Sequence, residues 1–265
     1  MAQTEQQSLI HRVVGKGPNL VMLHGWGLNS GVYDKMLDEL ASRFCVTLID
    51  LPGYGVNNDR LPEEYNLESV SAMVAEVLPK ECAVLGWSFG GLVAQRLALD
   101  LPQKVQKLIL VATTPKFAAE KEEEWHGVLP EVLDLFKTQL QGTYQKTLDR
   151  FMAMQALGSE SAKSDIVVIK KSVSVYPEPN NDALEAGLSI LKSADLRHEL
   201  AKLHIPTLRI YGRLDSIVPE RAVPHIESHH PKSRAVIIKK ASHAPFISHQ
   251  AEFIEAVVGH MLDEQ

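Results

Sequence analysis

Short runs of apolar residues alternate along this chain with longer segments in which apolar residues recur every three or four positions. The first pattern is typical of buried β-strands, and the second of helices that bury one face. Buried strands are predicted at 19–23, 46–49, 82–85, 105–112, 206–211 and 235–238, and helices at 33–44, 67–78, 92–101, 220–229 and 250–262. Because strands and helices alternate, we expect an α/β fold with a mostly parallel sheet and helices on both faces.

The alternation breaks in the interval 112–206, where no run resembles a buried strand. Apolar residues recur there at helical spacing around 129–140, 144–152, 167–168 and 184–191. A connection between parallel strands needs only about a dozen residues, so this interval is several times longer than required. We therefore predict a helical cap at 117–192, inserted into a sheet domain formed by 1–116 and 193–265.

Composition excludes several classes of function. The 265 residues carry a net charge of −6, which argues against sequence-independent nucleic-acid binding. Both cysteines, Cys45 and Cys82, lie in apolar runs, so we expect buried free thiols rather than a disulfide. No apolar run is long enough to span a membrane, and the polar segment 1–7 lacks the apolar stretch of a secretion signal. We expect a soluble, cytoplasmic protein that is a monomer.

One strand-to-helix junction contains candidate chemistry, because the strand at 82–85 continues into Gly86-Trp87-Ser88-Phe89-Gly90. A serine on such a sharp turn presents its Oγ above the sheet, and glycine two positions to either side avoids a collision with the neighbouring backbone. The helix that follows directs its positive end towards any anion formed beside the serine. A serine that only caps a helix fits the same pattern, so a nucleophilic Ser88 requires partners elsewhere in the chain.

A serine nucleophile needs a base, and that base needs an acid to orient it. His243 follows the last predicted strand, in a turn before the final helix, and is the candidate base. Asp215 follows the strand at 206–211 and precedes His243 in the chain, so we predict it as the acid. Asp50 also ends a strand but precedes the serine, and we expect it to hold the Pro-Gly loop beside it.

The tetrahedral intermediate of such a reaction needs two hydrogen-bond donors for its oxyanion. The backbone amide of Phe89 is one candidate, because it directly follows the serine. The loop after the first buried strand, His24-Gly25-Trp26-Gly27, is predicted to supply the other from the amide of Trp26. Its glycines permit a tight backbone path, and the His24 ring is expected to hold the loop.

No pattern for a cofactor or a metal competes with this assignment. Gly53-Tyr54-Gly55 lacks the third glycine and the helix start of a dinucleotide-binding loop. His225, His229 and His230 lie at a polar helix end, without a carboxylate at ligand spacing. We expect these three side chains to be solvated rather than to bind a metal, and we expect no cofactor.

With these residues placed, the chain resembles the α/β-hydrolase superfamily over nearly its whole length. More narrowly, it is similar to the pimeloyl-[acyl-carrier protein] methyl ester carboxylesterases of the biotin pathway. The segments that carry this resemblance are Leu23-His-Gly-Trp-Gly-Leu-Asn29, Gly86-Trp-Ser88, Arg209-Ile-Tyr-Gly-Arg-Leu-Asp215 and Ala244-Pro-Phe-Ile-Ser-His249. The resemblance implies that Ser88 attacks the methyl ester of a pimeloyl chain on acyl-carrier protein, with His243 as base and Asp215 as acid.

The resemblance also implies that basic side chains on the cap bind the acidic carrier protein. Lys146 and Arg150 are one helical turn apart, and Lys163 is a third candidate. A further arginine of the family falls at Val167, where this chain departs from the pattern. A mixed, solvated helix surface is the alternative, because the same cap contains Glu122-Glu123-Glu124.

The lining of the acyl site is open to two interpretations. Phe136 and Phe151 lie on helical apolar stripes that fit an acyl channel or simple core packing, while Trp26 and Trp87 could wall the ester site. The same triad also serves general short-acyl esterases, carbon–carbon bond hydrolases and ligand receptors built on this scaffold. Epoxide hydrolases and dehalogenases are disfavoured, because they need a carboxylate at the position of Ser88.

Overall fold

The structure, a computed structural model, describes residues 7–140, 144–156 and 162–263. The polar residues 1–6, which contributed to the expected location, lie outside this range. In the described residues seven strands form one sheet: β1 (His11–Val14), β2 (Asn19–Leu23), β3 (Cys45–Ile49), β4 (Cys82–Trp87), β5 (Val105–Val111), β6 (Thr207–Gly212) and β7 (Arg234–Ile238). The helices are α1 (Asp34–Ala41), α2 (Leu67–Glu76), α3 (Phe89–Asp100), α4 (Pro130–Leu140), α5 (Tyr144–Ala156), α6 (Ala162–Val173), α7 (Asn181–Ser193), α8 (Val223–His229), α9 (Pro245–Ser248) and α10 (Gln250–Leu262).

The strand order is β1-β3-β2-β4-β5-β6-β7, with β1 antiparallel to β3 and all other pairs parallel. The predicted mostly parallel sheet is therefore confirmed, and buried apolar clusters cover both of its faces. Strand β1 was not predicted, because its four residues are mostly exposed and their side chains carry no period-two pattern.

The pairing register brings the carboxyl ends of the parallel strands to one edge. Leu23 pairs with Gly86, Trp87 with Val111, and Gly212 with Ile238. The loops that follow β2, β4, β5, β6 and β7 therefore meet at this edge, which is where ligands bind in open α/β sheets.

Four helices, α4 to α7, lie between β5 and β6 in the described part of the chain, and we call them the cap helices. They agree with the helical spacing of the sequence. The boundaries of a separate cap at 117 and 192 stay a prediction. No helix within the described ranges is long and apolar enough to cross a membrane.

Both cysteines are free, as expected, although only Cys82 is fully buried and Cys45 is partly so.

Candidate active site

Ser88 lies on the sharp turn between β4 and α3 that its glycines predict. Its backbone has φ 53° and ψ −118°, a conformation that costs a non-glycine residue about 1–3 kcal/mol. A Cβ on Gly86 would lie 2.3 Å from the carbonyl oxygen of Gly90, and one on Gly90 would lie 2.5 Å from that of His24. The two glycines thus allow three backbone segments to meet around the serine.

Hydrogen bonds from the neighbouring strand hold this strained turn. The Ser88 amide donates to the carbonyl of Val111 at 2.9 Å, and the Thr113 hydroxyl donates to the carbonyl of Ser88 at 2.8 Å. Thr113 was not among the predicted site residues. Its position just after β5, at the edge where the other site residues meet, could have identified it.

Three side chains form a continuous hydrogen-bonded chain at the sheet edge. His243 Nε2 lies 2.9 Å from Ser88 Oγ, and His243 Nδ1 lies 2.8 Å from Asp215 Oδ2. Ser88 is 1% exposed, Asp215 is 4% and His243 is 0%. With its Nδ1–H donated to the carboxylate, the imidazole has Nε2 free to accept the serine proton.

The carboxylate and the imidazole are each fixed by a second set of contacts. Asp215 Oδ1 accepts hydrogen bonds from the amides of Ile217 and Val218 at 2.8 and 3.1 Å, which leaves Oδ2 for His243. The indole of Trp87 donates to the backbone carbonyl of His243 at 2.8 Å and packs edge-on against Phe246. Trp87 therefore holds the loop of His243 in place, and a contact of its ring with the ester stays a prediction.

The loop after β2 lies directly beside the serine. A Cβ on Gly25 would be 3.3 Å from the Cβ of Ser88, so the next residue, Trp26, follows within the same site. Among residues 7–140, 144–156 and 162–263, neither the Trp26 amide nor the Phe89 amide donates to a protein acceptor. Phe89 is the first residue of α3, where an amide has no partner inside the helix. Both amides are thus available to an oxyanion.

The His24 ring ties this loop to the loop after β3. The Leu51 amide donates to His24 Nε2 at 2.9 Å, so the proton is on Nδ1, which donates to the carbonyl of Gly25 at 2.8 Å. Burial lowers the pKa of His24, which keeps the ring neutral in this role. Asp50 accepts from the amides of Ser30 and Val56, which confirms its expected structural role.

Comparison with known proteins identifies the family of this fold. The family model for the alpha/beta hydrolase fold matches residues 18–250. The chain belongs to the α/β-hydrolase family. Solved structures that share the fold include an esterase from Exiguobacterium antarcticum, with a TM-score of 0.87 at 22% identity and 96% of each chain covered. A bromoperoxidase from Bacillus anthracis has a TM-score of 0.84 at 21% identity, covering 96% of this chain and 95% of the other.

Curated relatives also support the narrower resemblance, which is to the carboxylesterases. The pimeloyl-[acyl-carrier protein] methyl ester esterase of Aeromonas hydrophila is 48% identical over 243 residues, which is 92% of this chain and 95% of the relative. The esterase of the same name from Pseudoalteromonas atlantica is 47% identical over 244 residues, covering 92% and 94%. Within the α/β-hydrolases, this chain is therefore a carboxylic ester hydrolase.

A row of aromatic rings connects the loop after β2 to the cap helices. The Trp26 ring lies 4.8 Å from the ring of Phe151 on α5, which in turn lies 5.7 Å from that of Phe136 on α4. The Trp26 indole also donates to the carbonyl of Leu184 on α7 at 2.9 Å. Three of the predicted lining residues thus form a row in which Phe151 contacts both of the others, and their binding of an acyl chain stays a prediction.

The predicted carrier-binding residues lie on the outer surface of α5 and α6. Lys146, Arg150 and Lys163 are exposed, and Val167 is 65% exposed. Lys170, on α6, pairs with Asp149 on α5 at 2.7 Å.

The histidines near α8 differ from their prediction. His230 is buried, and His225 and His229 are half-buried with their ring edges against Trp125, so the expectation that all three are solvated is wrong. The polar residues at the end of α8 suggested that the histidines are exposed to solvent, but the segment before α4 packs on this end of the helix. In the described part of the chain, no group of three or more candidate ligands could hold a metal ion.

Proposed function

We propose that this enzyme hydrolyses the methyl ester of pimeloyl-[acyl-carrier protein], and so acts in biotin biosynthesis. The observation that carries the proposal is the unbroken chain from Asp215 through His243 to Ser88 beside two unpaired amides. The names of relatives that are 44–48% identical over most of their length supply the substrate.

In the first half of the reaction, Ser88 Oγ attacks the ester carbonyl while His243 Nε2 takes the serine proton. The Trp26 and Phe89 amides stabilise the oxyanion, and losing one such donor costs about 10²–10³ in rate. The carbon–oxygen bond to the methoxy group then breaks, and His243 returns its proton to the departing methanol. Asp215 stabilises the imidazolium throughout.

In the second half, His243 removes a proton from water, which attacks the acyl-serine carbonyl. The intermediate collapses, Ser88 regains its proton, and a free carboxylate is released at the end of the acyl chain. Because the methyl group leaves first, the carrier protein stays attached to the acyl-enzyme until this step.

We also propose that the acidic carrier protein contacts the surface made by Lys146, Arg150 and Lys163. The chain as a whole is acidic, so a local group of cations is needed to offset repulsion between the partners. The enzyme would work as a monomer in the cytoplasm, where its two free thiols stay reduced.

The test measures methanol release from the purified enzyme with pimeloyl-carrier methyl ester, alongside restoration of growth without biotin in a strain lacking such an esterase. Ser88→Ala is the control and should do neither. Failure of the unaltered enzyme in both assays would remove the substrate assignment. Activity confined to short-acyl esters or to a carbon–carbon bond substrate would instead identify one of the rival hydrolases, and binding without turnover a receptor.

A further inference from the structure

The peptide bond between Ser88 and Phe89 carries two groups that matter to the site. Its carbonyl belongs to the serine, and its N–H is the Phe89 amide, one of the two oxyanion donors of the proposed mechanism. No peptide bond in the described residues is cis, and in a planar trans peptide the C=O and the N–H point in opposite directions. Whatever holds the carbonyl on one side therefore aims the amide on the other.

Two donors hold the Ser88 carbonyl. The Thr113 hydroxyl donates to it at 2.8 Å and the Gly91 amide at 2.9 Å, so both lone pairs of the oxygen are used. The Gly91 amide belongs to the same turn as Ser88, whereas Thr113 belongs to the segment after β5. The hydroxyl is therefore the contact that ties this peptide to the end of a neighbouring strand, in a turn where Ser88 is strained at φ 53° and ψ −118°.

The chain around Thr113 is shaped to bring its hydroxyl to this place. Ala112 has φ +44°, a left-handed conformation that is uncommon for a residue with a side chain, and it turns the chain as β5 ends. A Cβ on Gly91 would lie 2.4 Å from both Cγ2 and Oγ1 of Thr113, so the threonine occupies the space that this glycine leaves. Thr113 is 1% exposed, and its hydroxyl is directed at the serine carbonyl.

We propose that Thr113 is a positioning residue for the oxyanion hole, because its hydroxyl holds the Ser88 carbonyl and so keeps the Phe89 amide aimed at the oxyanion. This rests on the proposed function, in which that amide binds the oxyanion. Hydrogen bonds to the carbonyl also polarise the peptide, which strengthens its N–H as a donor. Both effects matter most when negative charge has developed on the substrate oxygen, so Thr113 stabilises the transition state more than the bound ester.

The test compares Thr113→Val with Thr114→Val. Valine has nearly the shape of threonine without the hydroxyl, and the Ser88 carbonyl keeps the Gly91 amide as a partner, so Thr113→Val should fold. Thr114 is the matched control, because it is also buried and its hydroxyl donates to the Lys116 carbonyl at 3.0 Å instead.

Methanol release is measured from methyl butyrate and dimethyl pimelate. We expect Thr113→Val to lower kcat for both esters by about tenfold, which is less than the loss of a whole oxyanion donor, with KM changed by less than about twofold. Thr114→Val should keep the kcat of the unaltered enzyme. Thr113→Ser, which retains the hydroxyl, should recover most of the rate.

A pair of inhibitors separates positioning of the amide from distortion of the site. A trifluoromethyl ketone adds to Ser88 Oγ, and its carbonyl oxygen becomes an oxyanion, whereas the matching methyl ketone binds without adding. Thr113→Val should raise the inhibition constant of the fluorinated ketone by about tenfold and leave that of the methyl ketone as it was.

Equal values of kcat for Thr113→Val and Thr114→Val would overturn the proposal. Equal weakening of the two ketones, or a Thr113→Ser variant as slow as Thr113→Val, would overturn it as well. Methyl butyrate contains neither a pimeloyl chain nor a carrier protein. If the unaltered enzyme ignores the carrier-bound ester, the proposed substrate fails, but the comparison on methyl butyrate still decides the role of Thr113.

Discussion

Two regions of the molecule meet at the candidate site, and they position their side chains by different means. One is the sheet edge, which carries the triad, and the other is the group of cap helices. At the edge, each catalytic group is fixed by directional hydrogen bonds, such as those from Ile217 and Val218 to Asp215 and from Trp87 to the His243 backbone. The cap contacts the same site chiefly through apolar surfaces, among them Phe151 on Trp26.

We expect this difference to separate two tasks: the sheet edge carries out the chemistry, and the cap selects the ester. Hydrogen bonds weaken steeply when displaced, so the edge maintains one geometry for proton transfer. Apolar contacts are non-directional, so cap side chains can change in size or rotate without disturbing the triad. Substitutions at the edge should therefore change kcat for every ester, and substitutions in the cap should change which ester is preferred.

The largest effect is expected from Asp215→Asn, which removes the acceptor for the His243 Nδ1 proton and lowers kcat by about 10⁴-fold for all esters. Steady-state rates on a short and a long methyl ester check this. Asp50→Asn is the matched control, because Asp50 also follows a strand, but its carboxylate accepts hydrogen bonds from the backbone amides of Ser30 and Val56 and not from a histidine ring. A comparable loss of kcat in the control would show that Asp215 has no special part in the chemistry.

Phe151→Ala tests the cap side of the comparison. Loss of the ring that covers Trp26 should reduce kcat/KM for dimethyl pimelate by about 10–100-fold relative to methyl butyrate. Phe136→Ala, one ring further from Trp26, should have the smaller effect. Uniform losses on both esters would mean that Phe151 supports the triad instead of selecting the acyl chain.

These two predictions rest on residues that the sequence revealed to different degrees. The triad could be predicted because each member follows a strong strand pattern, and parallel strands end at one edge. Thr113 could have been singled out by its position just after β5, although its hydrogen bond to the Ser88 carbonyl could not be predicted. The supporting role of Trp87 could not be predicted either, since its hydrogen bond to the His243 backbone depends on which loops become neighbours. Burial of His230 was missed for the same reason. In the cap, the helical period identified apolar faces but not their partners, so the Phe151–Trp26 contact needed coordinates.

A smaller effect, on stability alone, is expected for Arg197, whose contacts join the segment before β6 to the segment after β5. Arg197 binds Glu120 and Asp195 at 3.0 and 2.6 Å, and its guanidinium lies 5.0 Å above the Trp125 ring. Arg197→Met should lower the free energy of unfolding by about 2 kcal/mol, because charged hydrogen bonds are lost around a buried side chain. Denaturant titration measures it, and kcat on methyl butyrate should stay unchanged. A stable variant with lost activity would contradict the account.

The smallest effect concerns the loss of folding stability at acidic pH, through the buried His230 that follows α8. Burial, together with the nearby charge of Arg209, lowers the pKa of His230 to about 4. An unfolded histidine has a pKa of about 6.5, so between these values the unfolded chain binds a proton that the folded one does not, and stability falls as the pH drops. His230→Asn should therefore lose less thermal stability between pH 7 and pH 5 than the unaltered enzyme. The same change at exposed His11 should leave the difference as it was.

The most direct test of the account is the mass of the covalent intermediate formed during turnover. Enzyme mixed with pimeloyl-carrier methyl ester, quenched in acid within milliseconds and analysed by mass spectrometry, should contain a species with the combined mass of the enzyme and the pimeloyl-carrier methyl ester, minus methanol. Digestion should place the link on the peptide that contains Ser88. A conjugate in the Ser88→Ala variant, or an adduct that carries only a pimeloyl methyl ester without the carrier, would contradict it.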